Sequence, residues 1–319
     1  MRNRSIPAFL HSMLFSSPYC VGGRLAAVDL DEQLRRNDPI IGPREAMPSP
    51  RHRSRALNRI LLLLLVLSLG LGYGIVDSLG IRIEQVTVTC PGLPQTLDGY
   101  SIIQLSDLHS TPGFKRNYET ARLLEGLQAN IALITGDFRD SSGSSNTAAR
   151  GVRITLGSLL ERMPVYAVQG NNDYRETMTL LAAEGVRVLD NRAVPVAQKL
   201  WLAGWNPYVK GFPALGEVMA TVPLGAAVVL ASHSPDVVLE AGFSRAQLVL
   251  AGHTHGIQIR IPGLPSPITL TRLGWRYTRG LYRFDGTHLY INRGIGTTMV
   301  PFRVFSPPEI TVLRLRSIR

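Results

Sequence analysis

The chain has 319 residues, of which 45% are hydrophobic and 18% charged, and its formal net charge is +11. This composition is typical of a folded protein and excludes a wholly disordered, collagen-like or coiled-coil chain. Two cysteines, Cys20 and Cys90, are too few for a disulfide framework or a cysteine-rich zinc site. The positive net charge favours anionic partners or a membrane surface.

The positive charge is densest at the N-terminus. Residues 1–59 carry ten arginines and five acidic residues, whereas residues 60–319 carry 24 basic and 18 acidic side chains. The body of the chain is therefore only mildly basic, and it lacks the dense basic stripe that nucleic-acid-binding domains show. We expect no nucleic-acid partner.

Residues 1–56 have no apolar periodicity and are predicted to form a disordered N-terminal tail. Met47 offers an alternative start, because translation from it would place a short basic segment, residues 48–59, directly before the long apolar run. We therefore expect the ordered part of the chain to begin after residue 56.

An apolar segment follows the tail and predicts a transmembrane signal anchor over residues 57–79. Ile60–Val76 is 17 residues long and uncharged, at the short end of what spans a bilayer. A buried core helix is the alternative, but five consecutive leucines leave no polar face. Arginines precede the segment, so we expect a single-pass protein of the cell (inner) membrane, with a cytoplasmic N-terminus and an extracytoplasmic catalytic domain. Cleavage of the segment as a signal peptide remains an alternative, although no A-x-A site is present.

Beyond residue 80, short apolar runs alternate with helical patterns. Strands are predicted at Tyr100–Ser106, Ile131–Thr135, Val165–Gln169, Ala227–Ser232, Gln247–Ala251, His288–Asn292 and Ile310–Leu315. Helices are predicted at Asn117–Ala129, Gly151–Arg162 and Glu176–Gly185, with a short one after Pro235. This alternation is typical of a layered α/β sheet with helices packed on it. We therefore expect residues 80–319 to form one catalytic domain.

Polar clusters follow five of the predicted strands. They are Asp107-Leu-His109, Gly136-Asp137, Gly170-Asn171-Asn172-Asp173, Ser232-His233 and Gly252-His253-Thr254-His255. Each cluster alone is more often a turn or a hydrogen-bonded histidine than a site. Together they place oxygen and nitrogen donors at the strand ends, where open α/β sheets hold their sites. This donor set is large enough for two divalent ions and suits Mn, Fe, Zn or Ni.

The ordered motifs DxH, GDxxD, GN-x-D, H and GHxH resemble those of the calcineurin-like metallophosphoesterase superfamily. Residues 82–110 and 289–315 are similar to the membrane-associated phosphodiesterase branch of that superfamily. The resemblance runs from about Ile83 to Leu315. It implies an α/β fold, a layered β-sandwich flanked by helices, preceded here by one transmembrane helix.

The resemblance also implies seven metal ligands. Asp107, His109 and His255 would hold the first ion, and Asn171, His233 and His253 the second, with Asp137 bridging both. The nucleophile would be a hydroxide between the two ions, attacking phosphorus in line. Asp137, Asn172 and His255 are the expected catalytic residues, and manganese is the preferred metal.

Asn172 departs from the family pattern, which usually has histidine at this position. An amide can donate a hydrogen bond to a phosphoryl oxygen, but it cannot act as a general acid. We therefore expect a preference for leaving groups of low pKa, such as a phosphate from a pyrophosphate bond or an activated phosphodiester.

Arginines follow the last motif, and two of them, Arg276 and Arg279, are predicted to bind substrate together with Asn172. Solvated arginines on a loop are the alternative, and contact with anionic lipid headgroups is another. The segment Gly204–Tyr208 is interpreted as an ordinary proline-containing loop, with lining of the substrate pocket as the alternative.

These observations predict a membrane-anchored, two-metal phosphodiesterase that acts on phosphodiester or pyrophosphate bonds, lipid-linked substrates included. A first alternative is a pyrophosphohydrolase of a nucleotide-linked glycolipid precursor, similar to the UDP-diacylglucosamine hydrolases of the superfamily. Those enzymes act on the cytoplasmic face, so membrane topology distinguishes the two functions. A catalytically silent scaffold is the second alternative, disfavoured because all seven ligand positions are filled.

Overall fold

The computed structural model describes residues 50–189, 191–208, 213–266 and 268–317. Within these residues, five α-helices and twelve strands alternate through most of the chain. The helices are α1 (Pro50–Asp77), α2 (Lys115–Glu125), α3 (Ser145–Leu160), α4 (Arg175–Ala183) and α5 (Leu215–Ala220). The strands are β1 (Arg82–Cys90), β2 (Ser101–Leu105), β3 (Ile131–Ile134), β4 (Val165–Ala167), β5 (Arg187–Val188), β6 (Arg192–Ala197), β7 (Leu200–Trp205), β8 (Ala227–Ser232), β9 (Leu248–Ala251), β10 (Gly280–Phe284), β11 (Thr287–Ile291) and β12 (Glu309–Ser317).

The described strands form two six-stranded sheets. The first has the order β1-β12-β2-β3-β4-β5, in which β2 to β5 run parallel. The second has the order β10-β11-β9-β8-β7-β6, in which β7, β8, β9 and β11 run parallel. The parallel strands are continuous apolar runs, because sheets of this kind are covered on both faces.

The core lies in three layers. Residues of both sheets, such as Ile102, Val229 and Leu313, pack against one another between the sheets. Ile103 points the opposite way from Ile102 and packs in a second cluster with α2, α3 and α4. Side chains of α5 and of a 3-10 turn at Pro235–Leu239 cover the outer face of the second sheet. The molecule is therefore a β-sandwich with helices on its faces, as expected from the sequence.

The helix α1 contains the predicted membrane segment. Among the described residues, Leu57–Asp77 is long and apolar enough to cross a membrane. The side chains of Leu61 to Leu65 are each more than half exposed, which is the opposite of a buried core helix. The helix begins at Pro50, before residue 57, and residues 1–49 of the predicted tail lie outside the described part of the chain.

All seven predicted strands are present, as β2, β3, β4, β8, β9, β11 and β12, with small shifts at their ends. The predicted helix at Gly151–Arg162 begins earlier, at Ser145, because the hydroxyl of Ser144 accepts a hydrogen bond from Thr147 N and caps it. Sequence reasoning did not predict β1, β5, β6, β7, β10 or α5. Several of these are edge strands or short elements, whose pattern is weak.

Candidate metal centre

The predicted ligands come together at one end of the sandwich, where the carboxyl ends of strands from both sheets lie close together. In the first sheet, Asp107 follows β2, Asp137 follows β3 and Asn171 follows β4; in the second, His233 follows β8 and His253 follows β9. Backbone hydrogen bonds link the first two loops, from Asp107 N to Gly136 O at 2.9 Å and from His109 N to Asp137 O at 3.0 Å. The carboxyl ends of the parallel strands thus form one rim.

Five of the predicted ligands have a positive φ angle. The values are 50° for Asp107, 39° for His109, 56° for Asp137, 70° for His253 and 52° for His255. This left-handed region is costly for residues other than glycine and is concentrated at functional sites. The loops are therefore held in strained conformations that aim their side chains inward.

Asp107, His109 and His255 form a first buried cluster whose ligand atoms all lie within 4.8 Å of one another. The Nε2 atoms of the two histidines are 3.1 Å apart, and His255 Nε2 lies 3.3 Å from Asp107 Oδ1. That Asp107 oxygen is buried and accepts no hydrogen bond. Buried acceptor atoms that converge on one point without hydrogen bonds repel one another, and a cation between them would remove that repulsion.

Asp137 lies between this cluster and a second one. Its Oδ2 is 3.5 Å from His109 Nε2 and 3.4 Å from His233 Nε2. In turn, His233 Nε2 lies 3.1 Å from both Asn171 Oδ1 and His253 Nδ1. A single carboxylate oxygen therefore faces imidazoles on both sides.

The second ring nitrogens of His233 and His109 contact backbone carbonyls. His233 Nδ1 lies 2.6 Å from Thr135 O, and His109 Nδ1 lies 3.1 Å from Arg139 O. When Nδ1 carries the proton and donates it to these carbonyls, the Nε2 lone pair of each ring points into the cluster. That tautomer is the one a metal ligand needs.

Burial and neighbouring charges perturb the protonation of the site. Burial raises the pKa of Asp107, whereas in Asp137 the effect of burial is outweighed by His233 and His109, which lower its pKa. Burial and the charge of His233 lower the pKa of His253 to about 4, so that ring is a neutral donor. Although burial lowers the pKa of His233, Asp137 and Asp107 raise it to about 10, and a divalent cation would compete with that proton.

Glycines leave room for the cluster. A Cβ atom on Gly170 would collide with Asp137 Oδ1 and lie 2.9 Å from Asp137 Cγ, and one on Gly252 would lie 2.6 Å from Asp107 Oδ2. Both carboxylates can therefore occupy their positions only because the neighbouring residues are glycines, which have no side chain. Together with the oxygen and imidazole donors, this arrangement fits divalent ions of the Mn, Fe, Zn or Ni type.

Asp173 contributes to the site in a way that the sequence did not reveal. Its buried carboxylate accepts backbone hydrogen bonds from Asp137, Phe138, Arg139 and Gly170, at 2.8 to 3.1 Å. Burial and the charge of Asp137 raise its pKa to about 6. It ties the loop after β3 to the loop after β4. The available signal was its place in the cluster Gly170–Asp173.

Arg303 is a second residue that sequence reasoning missed. Its buried guanidinium donates to the carbonyl of His255 at 3.0 Å and lies 3.3 Å from His255 Nδ1. It also donates to the carbonyls of Arg293 at 2.9 Å and Gly296 at 2.6 Å. Burial lowers its pKa to about 9. The arginine fastens the GHTH loop to the C-terminal segment.

The predicted substrate-binding residues do not lie together. Asn172 donates from its backbone N and its Nδ2 to the two oxygens of Asp137, at 2.8 and 2.7 Å. Arg276 is exposed, with its guanidinium carbon 5.4 Å from the ring centre of Trp275. Arg279 donates to Phe305 O at 3.3 Å and lines a different pocket. Substrate binding by Arg276 and Arg279 stays a prediction.

A cavity of about 820 Å³ opens beside Asn171 and Asp173. Its lining combines apolar and aromatic side chains with basic and neutral polar ones, namely Tyr174, Met178, Ala182, Val188, Tyr208, Arg175, Arg192, Gln169, Thr179 and Asn191. Tyr208 also contacts His233 edge to face, with ring centres 6.1 Å apart. Of the segment Gly204–Tyr208, Gly204 and Trp205 belong to β7 and Tyr208 lines this cavity, whose role in binding substrate stays a prediction.

The family model described as calcineurin-like phosphoesterase matches residues 100–256. The phosphodiesterase YaeI of Escherichia coli is 30% identical over 233 residues, which cover 68% of this chain and 82% of that protein. The chain belongs to the calcineurin-like phosphoesterase family. As a member of this family, it is a metal-dependent phosphoric ester hydrolase.

Two further relatives extend the similarity to most of the chain. The metallophosphoesterase YkuE of Bacillus subtilis is 28% identical over 247 residues, covering 74% of this chain and 86% of that protein. The UDP-2,3-diacylglucosamine pyrophosphatase LpxG of Chlamydia muridarum is 26% identical over 283 residues, covering 68% of this chain and 84% of that protein.

Proposed function

We propose that this phosphoesterase is a membrane-anchored phosphodiesterase that uses two divalent ions and acts outside the cytoplasm. One observation carries the two-ion proposal. Asp137 Oδ2 lies within 3.5 Å of imidazole nitrogens from both clusters, His109 on one side and His233 on the other. A carboxylate in that position suits a bridge between two cations.

In this proposal the ligands are divided between the two ions as the family resemblance implies, and both ions share Asp137. Asp107, His109 and His255 hold one ion, and Asn171, His233 and His253 hold the other, with manganese the preferred metal. When bound, the ions supply charge neutralisation for the phosphoryl oxygens and lower the pKa of a bound water.

The protein residues position the reacting groups. Asn172 donates two hydrogen bonds to Asp137 and so fixes the orientation of that carboxylate. It has no proton to give to a leaving group, which supports the preference for substrates that leave as stable anions. Arg303 donates to the backbone carbonyl of His255 and so holds the loop that carries this histidine.

The cavity beside Asn171 supports an ester with an organic leaving group. Its aromatic and aliphatic lining, with Tyr174, Met178 and Tyr208, suits an apolar portion, while Arg175 and Arg192 suit an anionic one. A diester or a lipid-linked phosphate offers both features, whereas inorganic phosphate offers only the charge.

The anchor and its orientation are part of the proposal. Residues 57–79 serve as an uncleaved signal anchor, and residues 80–319 form the extracytoplasmic catalytic domain. The arginines before the apolar run support this orientation. A reporter fused after Arg319 tests it: activity in a periplasmic or extracellular reporter is expected, and a cytoplasmic signal would contradict the topology.

Hydrolysis by the full-length chain in detergent with Mn²⁺ tests the activity itself. Bis(p-nitrophenyl) phosphate and the matching monoester are compared with and without chelator. Asp137→Asn should reduce diester turnover by at least about 10²–10³-fold, because the shared ligand loses its charge. Asp285→Asn, which changes an exposed carboxylate in the β10–β11 turn, is the matched control and should leave turnover unchanged. Diester turnover that survives both chelation and Asp137→Asn would refute the two-ion proposal.

A pyrophosphohydrolase of a nucleotide-linked glycolipid is the second candidate. The similarity to LpxG and the asparagine at position 172 both favour a pyrophosphate bond, whose leaving group needs no proton. Turnover of a nucleoside diphosphate sugar without turnover of the aryl diester, together with a cytoplasmic C-terminus, would support this candidate over the first.

A further inference from the structure

Four arginines gather where α1 leaves the membrane segment. Arg82, Arg260, Arg279 and Arg293 line a pocket of about 310 Å³ together with Asp77, the last residue of the helix. Their positive charge is only partly neutralised by neighbouring acidic residues.

Two of these arginines have carboxylate partners and two do not. Arg82 pairs with Asp77, and Arg293 pairs with Glu84 and Glu309. Within the described part of the chain, neither Arg260 nor Arg279 pairs with a carboxylate. Burial and the charges of Arg260 and Arg293 lower the pKa of Arg279, as expected for cations gathered without enough counter-charge. The pocket is suited to an anion.

The pocket lies beside the end of α1. Phe305, which also lines it, donates its backbone N–H to Gly74 O at 3.1 Å, and its ring lies 6.0 Å from that of Tyr73. A Cβ atom on Gly74 would lie 2.7 Å from the Phe305 ring, so the helix and the domain pack closely here. Gly74 lies inside the apolar segment Leu57–Asp77, so anchoring by this segment would place Phe305 at the level of the membrane boundary.

An exposed apolar segment adjoins the pocket. Arg260 N donates to Val304 O at 2.9 Å, and Ile259 pairs with Val304, so this segment lies directly beside Phe305. Large apolar side chains along it are 38–65% exposed, namely Ile259, Ile261, Leu264, Ile268, Leu270 and Trp275. Four of them, Ile259, Ile261, Leu264 and Trp275, line one pocket and so lie together. Exposed apolar residues that cluster in this way mark an interaction site, and tryptophan favours the membrane interface.

We propose that this face is a second membrane contact, in which the apolar segment enters the headgroup region and the arginine pocket binds the phosphate of an anionic glycerophospholipid. The proposal rests on the membrane anchor proposed above. Guanidinium groups bind phosphate through paired N–H donors, and basic residues next to a membrane helix are drawn to anionic lipids. Exposed apolar residues, arginines without a carboxylate partner and the end of the helix lie next to one another. This arrangement favours a lipid over a soluble anion.

The contact would hold the metal centre close to the bilayer. Val304 and Phe305 contact the segment and the helix, while the residues on either side of them, Arg303 and Ser306, both donate to His255 O, at 3.0 and 3.1 Å. Residues 303–306 are thus hydrogen-bonded both to the exposed apolar segment and to the GHTH loop.

Quenching of Trp275 fluorescence by brominated lipids tests the contact. The full-length chain is placed in nanodiscs of phosphatidylcholine, with or without phosphatidylglycerol, and Trp275→Phe supplies the signal of the other tryptophans. Quenching of Trp275 should rise by at least about twofold when the anionic lipid is present. Inorganic phosphate added to phosphatidylcholine nanodiscs should not reproduce the rise.

Variants distinguish lipid binding by the arginine pocket from a general effect of the protein's positive charge. Arg260→Gln combined with Arg279→Gln should abolish the response to phosphatidylglycerol, whereas Arg187→Gln, on the opposite edge strand β5, should keep it. Thermal unfolding followed by circular dichroism checks the fold, and Arg260→Gln alone replaces the double variant if that one unfolds. Absent quenching in both lipids, or an undiminished response in the pocket variants, would overturn the proposal. Failure of the anchor would be seen separately, as failure to enter nanodiscs, and failure of catalysis would not alter quenching.

Discussion

The two sheets bring different donors to the end of the sandwich where the carboxyl ends of their strands lie. Loops after the first sheet carry all the oxygen donors, Asp107, Asp137 and Asn171, together with one histidine. Loops after the second sheet carry only imidazoles, those of His233, His253 and His255. The first side therefore provides the negative charge that attracts cations, and the second provides imidazole nitrogens of fixed direction.

The two sides are also held in different ways. The oxygen side is fixed by backbone N–H groups that converge on the carboxylate of Asp173. The imidazole side depends on groups from elsewhere in the fold: Thr135 O of the first sheet for His233, and Arg303 of the C-terminal segment for His255. The site is complete only when the sheets are packed against each other. We therefore expect substitutions on the oxygen side to reduce turnover most.

Gly170→Ala should give the largest effect. The new Cβ would collide with Asp137 Oδ1 and displace the shared carboxylate, and a misplacement of this kind costs about 10²-fold or more in diester turnover. Overpacking should also lower the free energy of unfolding by about 1–3 kcal/mol. Turnover and urea unfolding of the full-length chain measure the two effects.

Gly157→Ala is the matched control, because a Cβ at this position of α3 meets no atom within 4 Å. It should leave turnover unchanged and raise helix stability by up to about 1 kcal/mol. Equal turnover in the two alanine variants would show that the space at Gly170 is not needed.

Asp173→Asn should have an intermediate effect. The amide retains one acceptor oxygen in place of the two that receive four backbone N–H groups, so the loops after β3 and β4 lose their common anchor. Metal affinity and turnover should fall about 10–100-fold. Mn²⁺ titration of the variant beside Asp285→Asn measures the loss, and wild-type Mn²⁺ affinity would rule out a positioning role for Asp173.

Asn172→His should have the smallest effect of these variants on the turnover of substrates whose leaving groups have a low pKa. It should change turnover selectively for substrates whose leaving groups have a high pKa. A histidine at this position restores a proton donor, so aryl diesters with leaving groups of high pKa should react about 10²-fold faster. The dependence of rate on leaving-group pKa should become shallower. An unchanged slope would mean that position 172 does not control protonation of the leaving group.

The motifs at the strand ends could be predicted from the sequence, because an apolar run followed by Asp, His or Asn is recognisable without a structure. What remained hidden depends on contacts between distant segments. Asp173 binds backbone groups more than thirty residues earlier, and Arg303 reaches His255 across 48 residues. Arg279 lines the pocket beside α1 and donates to Phe305 O, a contact with a distant segment that the sequence does not reveal, and its binding of substrate stays a prediction.

The number of metal ions per chain tests the central claim most directly. The full-length protein is loaded with Mn²⁺, freed of excess metal by gel filtration and analysed for metal and protein together, in the wild type, Asp137→Asn and Asp285→Asn. Two ions per chain are predicted for the wild type and for Asp285→Asn, and at most one for Asp137→Asn, because the shared carboxylate belongs to both clusters. A wild type that retains no ion, or an Asp137→Asn variant that retains two, would contradict a bridged site at this end of the sandwich.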